Sequence, residues 1–375
     1  MSARPADSIT SGTWSRPRQS DPGEPGKILT APLPIALDVM GGDKAPEMVL
    51  KGAEIALVRF PELQFLLFGV EDRIRPLLAK LPALSRAAVV HHAEHVVTAD
   101  AKPSAAIRAG RRSSMRLAID AVETGQAVSA VSAGNTGALM AIAKIVLKTL
   151  PGIDRPAIAT FLPTLAGESV ILDLGANVEC DAENLVQFAL MGDAFARAVL
   201  NIARPTVGLL NVGSEELKGS ESVKEANQRL RDGVPGLDYH GFVEGDDIGR
   251  GTVDVVVTDG FTGNVALKTA EGTVKLYTEY LRGAFRNSLM ARLGYLLARP
   301  ALNQMRDRLD PRRYNGAMLL GLNGIVVKSH GGSDEIGFAN AIGVAHDLCV
   351  NGFLDRIREE LKALADLAAP AAAPV

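Results

Sequence analysis

A chain of 375 residues, 47% hydrophobic and 22% charged, has ample material for a core, and at roughly 150 residues per unit it holds about two to three units. Forty lysines and arginines against 43 acidic residues leave a net charge of −3, which excludes a globally basic nucleic-acid binder, and no block of like charge forms an acidic tail. Cys180 and Cys349 are too few for a disulfide framework or a four-thiolate zinc site, so a reducing compartment is expected, and 37 glycines point to tight loops closing on small ligands.

Residues 1–30 are rich in Pro, Ser, Gly and Arg without an apolar run, which predicts a flexible extension and argues against a secretory signal peptide. From residue 35 onward, short apolar runs alternate with helical patterns. IALDVM (35–40), QFLLFG (64–69), AAVVHH (87–92) and AVSAVSA (127–133) predict four strands. AIATFLP (157–163), SVILDLG (169–175), TVGLLNVG (206–213), VDVVVTDG (253–260) and GIVVKS (324–329) predict five more. Helices are expected at 45–58, 71–81, 114–124, 136–149, 183–202, 221–231 and 262–285. Continuous apolar runs suit strands covered on both faces, so this rhythm predicts a layered α/β/α sandwich around a largely parallel sheet. The runs at 157–163 and 169–175 have no helix between them, which predicts a hairpin and a mixed sheet. No run reaches the ~18–20 apolar residues of a bilayer span. The domain reading is one catalytic domain over 31–362 and an Ala/Pro tail over 363–375.

In such sheets ligands bind beyond the carboxyl ends of strands, where the small-residue loops fall. These are Asp38 to Asp43 with Gly41 and Gly42, Ser132 to Gly137, Asp173 to Asn177, Asn211 to Glu215, and Asp259 to Asn264, and all five are expected at one edge. Ser132, Gly134, Asn135, Thr136 and Gly137 lead straight into a helix, a pattern that offers backbone amides and hydroxyls to an anion. The plainer reading is a strand–turn–helix capped by Asn135 or Thr136. Asn264 and Lys268 share one face near another helix start, where an amide and an ammonium can meet phosphate or an oxyanion; solvated surface residues are the alternative. Lys218 is a further basic candidate, and Lys328, His330 and Gly331 belong to another loop after a strand.

Asp38, Asp43, Asp173 and Asp259 end strands, where carboxylates often only cap helices; no metal set is assigned. There is no G-x-S-x-G elbow, Cys180 reads as an inert thiol, and His91, His92 and His95 lack an HExxH spacing. Segment 282–313 carries eight arginines and two aspartates, with Phe285, Leu289, Leu293 and Leu297 at helical spacing. Such a basic amphipathic stretch suits a membrane interface, and equally a core or dimer contact. Gly294 and Pro300 predict a kink or helical hairpin there.

Taken in order, these loops resemble the bacterial phosphate acyltransferase family (PlsX type). The matching stretches are IALDVMGGD (35–43), SAGNTGALM (132–140), RPAIATFLP (155–163), LDLGANVEC (172–180), LLNVGSEELKG (209–219), 242–268 and GLNGIVVKSHGGSDEIG (321–337). The likeness covers about 34–362 and departs at DVMGGD, where the family has DAMGGD. It implies the fold of isocitrate and isopropylmalate dehydrogenases and of phosphotransacetylase. It also implies transfer of a long-chain acyl group from acyl-carrier protein to inorganic phosphate without a cofactor. Lys268 and the Ser132–Gly137 loop are then assigned to phosphate, Asn264 to the oxyanion or phosphate, and Lys218, Asn177 and His330 to support. A cytoplasmic homodimer with peripheral membrane contact is expected, passing product to a membrane glycerol-3-phosphate acyltransferase. The alternatives are acyl transfer from coenzyme A and a non-catalytic membrane-docked scaffold. A decarboxylating dehydrogenase is disfavoured, since no G-x-G-x-x-G follows the first strand.

Overall fold

The computed structural model describes residues 34–310 and 312–368, so the extension expected at 1–30 lies outside the described residues. In chain order come β1 (Ile35–Asp38), α1 (Glu47–Arg59), β2 (Phe65–Gly69), α2 (Glu71–Leu78), α3 (Pro82–Ala87), β3 (Ala88–His92), α4 (Pro103–Ala109) and α5 (Ser114–Glu123). Next are β4 (Ser129–Ser132), α6 (Thr136–Leu147), β5 (Ala157–Pro163), β6 (Glu168–Leu172), α7 (Ala182–Leu200), β7 (Thr206–Leu210), α8 (Glu221–Arg231) and β8 (Asp238–Val243). The remainder is α9 (Gly245–Arg250), β9 (Val255–Val257), α10 (Gly260–Arg286), α11 (Leu289–Arg308), β10 (Ala317–Leu320), β11 (Ile325–Lys328), α12 (Glu335–Val350) and α13 (Phe353–Ala368). The last helix thus continues through the first residues read as an Ala/Pro tail, and residues 369–375 lie outside the described ones.

The strands join one sheet in the order β3-β2-β1-β4-β11-β10-β5-β6-β9-β7-β8. Side chains alternate across it, as strand geometry requires. Ile35, Leu37, Val170, Leu172, Val255, Val257, Ile325 and Val327 pack into one core with α1, α7 and α12. Ala36, Ile171, Val256 and Val326 face the other side, against Met115 and Ile119 of α5 and Leu139 and Ile142 of α6. Helices on both faces make the expected α/β/α sandwich and explain why the strands read as unbroken apolar runs.

Strand direction positions the loops. β1, β2, β3, β4 and β11 run parallel. β10 is antiparallel to both β11 and β5, and β5 pairs with β6 in the expected antiparallel hairpin, Ala159 opposite Leu172. β6, β9, β7 and β8 then run parallel to one another, opposite in sense to β1, β4 and β11. The loops therefore do not gather at one edge. Those after β1, β4 and β11 share one edge, and those after β6, β7 and β9 lie at the opposite edge.

Between α10 and α11 the chain turns at Asn287 and Ser288, not at Gly294 or Pro300, and Ser288 caps α11 by accepting from the Ala291 amide at 3.0 Å. Pro300 sits inside α11, which contains no buried residue. Phe285 turns inward onto Tyr295, ring centroids 5.5 Å apart, whereas Leu289, Leu293 and Leu297 are exposed at 81%, 57% and 79%.

Candidate functional site

At the first edge the buried carboxylate of Asp38 gathers three separate parts of the chain. The Ser114 hydroxyl at the start of α5 donates to its Oδ1 at 2.6 Å, and the Ser132 hydroxyl at the end of β4 donates to its Oδ2 at 2.7 Å. Ser132 Oγ in turn accepts from the Gly134 amide at 3.0 Å. Burial holds the Asp38 carboxyl above its ordinary range, against the pull of these donors. The loops touch directly. A side chain on Gly41 would place its Cβ 2.6 Å from the Gly134 nitrogen. Gly42 has φ +101° and leaves only 3.2 Å between such a Cβ and the Gly331 carbonyl oxygen, so glycine alone fits there.

Lys328, the last residue of β11, is only 9% exposed in the same junction. Its Nζ donates to the Ala133 carbonyl at 3.5 Å and to the Ser329 carbonyl. Burial pushes its pKa down to about 8, while Asp38 and Asp43 pull the other way. Two residues on, His330 Nδ1 accepts from the Gly332 amide at 3.1 Å, which leaves the proton of a neutral ring on Nε2. Partial burial and the charges of Lys268 and Lys328 hold His330 below its ordinary pKa. Asn315 orders this loop: its Oδ1 accepts from the His330 amide at 2.8 Å and its Nδ2 donates to Ser329 Oγ at 2.8 Å.

The loop before α6 divides its labour. Asn135 caps the helix, accepting from the Ala138 amide at 2.9 Å, and its Nδ2 donates to the carbonyls of Ala99 and Ala101. With Ser132 committed to Asp38, the side chains of both predicted ligands are engaged by the protein. The Gly134 amide is taken by Ser132, but Thr136 and Gly137 are exposed, so first-turn amides of α6 remain open to an anion. Lys268, two turns into α10, is exposed and paired with Glu271 at 2.9 Å; its charge reaches His330.

The opposite edge is built differently. Asp173 Oδ1 accepts from the amides of Ile158, Leu174 and Ala176, and Oδ2 from the Asn177 amide and side chain. Asn177 Nδ2 also donates to the Pro156 carbonyl at 2.8 Å. Asp259 caps α10 through the Thr262 amide at 2.8 Å, and Asn264 lies beside Gly175. Lys218, after β7, pairs with Glu215 at 2.8 Å. Asn177, Asp259 and Lys218 therefore sit away from Asp38, Ser132 and His330. Ser114 is the site residue that sequence reasoning passed over, and Lys328, named there with its loop, was given no role. A lysine closing the apolar run IVVK was the one local signal; Ser114 had none. Cys180 is partly buried at this second edge, and burial pushes its thiol up to about 12, which removes it as a ready nucleophile.

Residues 33–356 match the family model described as "Fatty acid synthesis protein". The phosphate acyltransferase of Rhodospirillum centenum is 64% identical over 341 residues, covering 91% of this chain and 96% of that protein. That of Rhodospirillum rubrum is 61% identical over 329 residues, covering 88% and 94%. Among solved structures, a phosphotransacetylase from Streptococcus pyogenes superposes with TM-score 0.60 at 18% identity, covering 85% of this chain and 94% of that one. A branched-chain phosphotransacylase from Enterococcus faecalis gives TM-score 0.55 at 14% identity, covering 84% and 99%; both likenesses speak to the fold.

The two edges predict different mutant behaviour. Asp173→Ala leaves four backbone amides without their acceptor, at about 1–3 kcal/mol for each that water cannot reach. A large drop in thermal midpoint is expected. An unchanged midpoint would contradict the scaffold role.

Proposed function

The chain belongs to the phosphate acyltransferase family, and from that premise we propose that it moves a long-chain fatty acyl group from acyl-carrier protein to inorganic phosphate. The observation that carries this reading is the meeting of open α6 amides, Lys328 and His330 at one edge, with the charge of Lys268 reaching His330. A phosphate oxygen attacks the thioester carbonyl carbon there, giving a tetrahedral oxyanion. Collapse breaks the C–S bond, forms acyl phosphate and releases the carrier thiolate, which takes a proton. A thiol of pKa about 8.5 leaves readily, so general-acid help is useful without being essential. No enzyme nucleophile is needed, and positioning and electrostatics supply the rate. Lys268 and the amides of Thr136 and Gly137 hold phosphate, while His330 Nε2–H faces the developing charge. Asn264, beside Gly175, and Lys218, paired with Glu215, belong to the opposite edge and have no role in this reading.

A carrier protein, rather than coenzyme A, is favoured by the cations at the mouth. Arg112 and Arg116 are taken up by Glu94 and Asp120, but Arg108 and Arg111 stay exposed. They belong to the segment fixed to the α6 loop by Asn135, beside Pro103, against which Gly137 sits. An acidic partner would meet them there.

Leu276, Tyr277, Tyr280, Leu289, Met290, Leu293, Leu296 and Leu297 are exposed along the α10–α11 hairpin among Arg282, Arg286, Arg292 and Arg299. An apolar patch of this kind, rimmed by arginines, fits the headgroup region of a bilayer. No described helix is long and apolar enough to cross one. The proposal is a cytoplasmic homodimer at the membrane surface that releases its poorly water-suited product to a membrane glycerol-3-phosphate acyltransferase.

Incubation with acyl-carrier-protein thioester and phosphate, followed by hydroxylamine, is expected to yield hydroxamate only when phosphate is present. No phosphate-dependent hydroxamate would overturn the assignment, and equal use of acyl coenzyme A would overturn the carrier preference. Leu289→Glu with Leu293→Glu is expected to abolish sedimentation with anionic liposomes. Unchanged sedimentation would remove the hairpin from membrane binding.

A further inference from the structure

Lys328 makes no ion pair among the described residues, yet it sits nine-tenths buried where three site loops meet. Its two hydrogen bonds go to the carbonyls of Ala133 and Ser329, one in the loop after β4 and one in the loop after β11. The first of these loops leads into the α6 amides proposed to receive the anion. Bare carbonyl dipoles among anion-binding amides would repel phosphate, and an ammonium bonded to both cancels that repulsion while adding a fixed positive charge.

Resting on the acyl-transfer reading above, we infer that Lys328 is a positioning residue for phosphate, tying the β4 and β11 loops together and supplying the buried cation behind the open amides of Thr136 and Gly137. Asp38, held by Ser114 and Ser132, is the counter-charge that keeps this cation inside the fold. The arrangement separates duties. Lys268 at the surface captures phosphate, and Lys328 below it fixes the loop geometry.

The charged groups around Lys328 are Asp38 on β1, Asp43 in the following loop, and His330 in its own loop, with Lys268 and Glu271 of α10 beyond His330. Partial burial and the charges of Lys268 and Lys328 hold His330 below its ordinary range, which favours the neutral ring. Lys328 is charged below about pH 8 and loses its proton above it. The second ionisation of inorganic phosphate lies near neutrality and is nearly complete by pH 8, so a loss of affinity above pH 8 belongs to the protein. Phosphate binding should therefore weaken as pH rises through 8, with no matching change in binding of the thioester.

Calorimetric binding of inorganic phosphate to the full chain between pH 7 and 9.5 tests this without turnover. Wild type is expected to lose affinity across pH 8, Lys328→Arg to keep affinity with a flat profile, and Lys328→Met to bind about tenfold or more weakly at pH 7. A flat wild-type profile, or wild-type affinity in Lys328→Met, would overturn the inference. If the methionine variant does not fold, the wild-type and arginine profiles decide. Expected phosphate binding with no hydroxamate from acyl-carrier protein would instead overturn the proposed reaction and leave the Lys328 role standing.

Discussion

The buried carboxylate of Asp38 is the interaction on which the site depends. A charge without solvent is costly unless hydrogen bonds and a counter-charge meet it, and here both come from distant parts of the chain. Ser114 opens α5, Ser132 closes β4, and Lys328 closes β11, so satisfying one carboxylate brings three loops into register. The glycines finish the work. Gly41 and Gly42 allow the β1 loop to lie against Gly134 and Gly331, which larger residues would push apart. Satisfying Asp38 spends the Ser132 hydroxyl, and capping spends Asn135, so the anion is left mainly to backbone amides and cations.

Much of the fold was legible because strands buried on both faces leave unbroken apolar runs. The sandwich, the β5–β6 hairpin and α8 follow directly from such patterns. β10, with the sequence AMLL, escaped because its four residues include no β-branched side chain. The direction reversal at β10, β5 and β6 could not be read from periodicity, which reports burial and is blind to strand sense. That is why Asp173, Asn177 and Asp259 were grouped with Asp38 and Ser132. Their residue types looked alike, and their geometry makes the first three a scaffold and the last two part of the site. Ser114 was illegible for a related reason: a serine opening a helix ordinarily announces no more than its start.

The surface around the site adds direction to the chemistry. Arg108 and Arg111 are exposed on the segment tied to the α6 loop, and the α10–α11 hairpin carries exposed apolar residues and arginines. α10 is common to both regions, since Lys268 lies near its start and the exposed Leu276, Tyr277 and Tyr280 follow along the same helix. On the proposed reading, a near-neutral chain offers these local cations to an acidic carrier, to phosphate and to an anionic membrane.

The central claim is that phosphate is held at the Asp38 edge and not at the Asp173 edge. A crystal structure of the full chain grown with inorganic phosphate tests it most directly. The account predicts phosphate at the first turn of α6, against the amides of Thr136 and Gly137 and within reach of Lys268. Phosphate seated instead at Lys218, Asn177 and the start of α10, with the α6 turn empty, would contradict it.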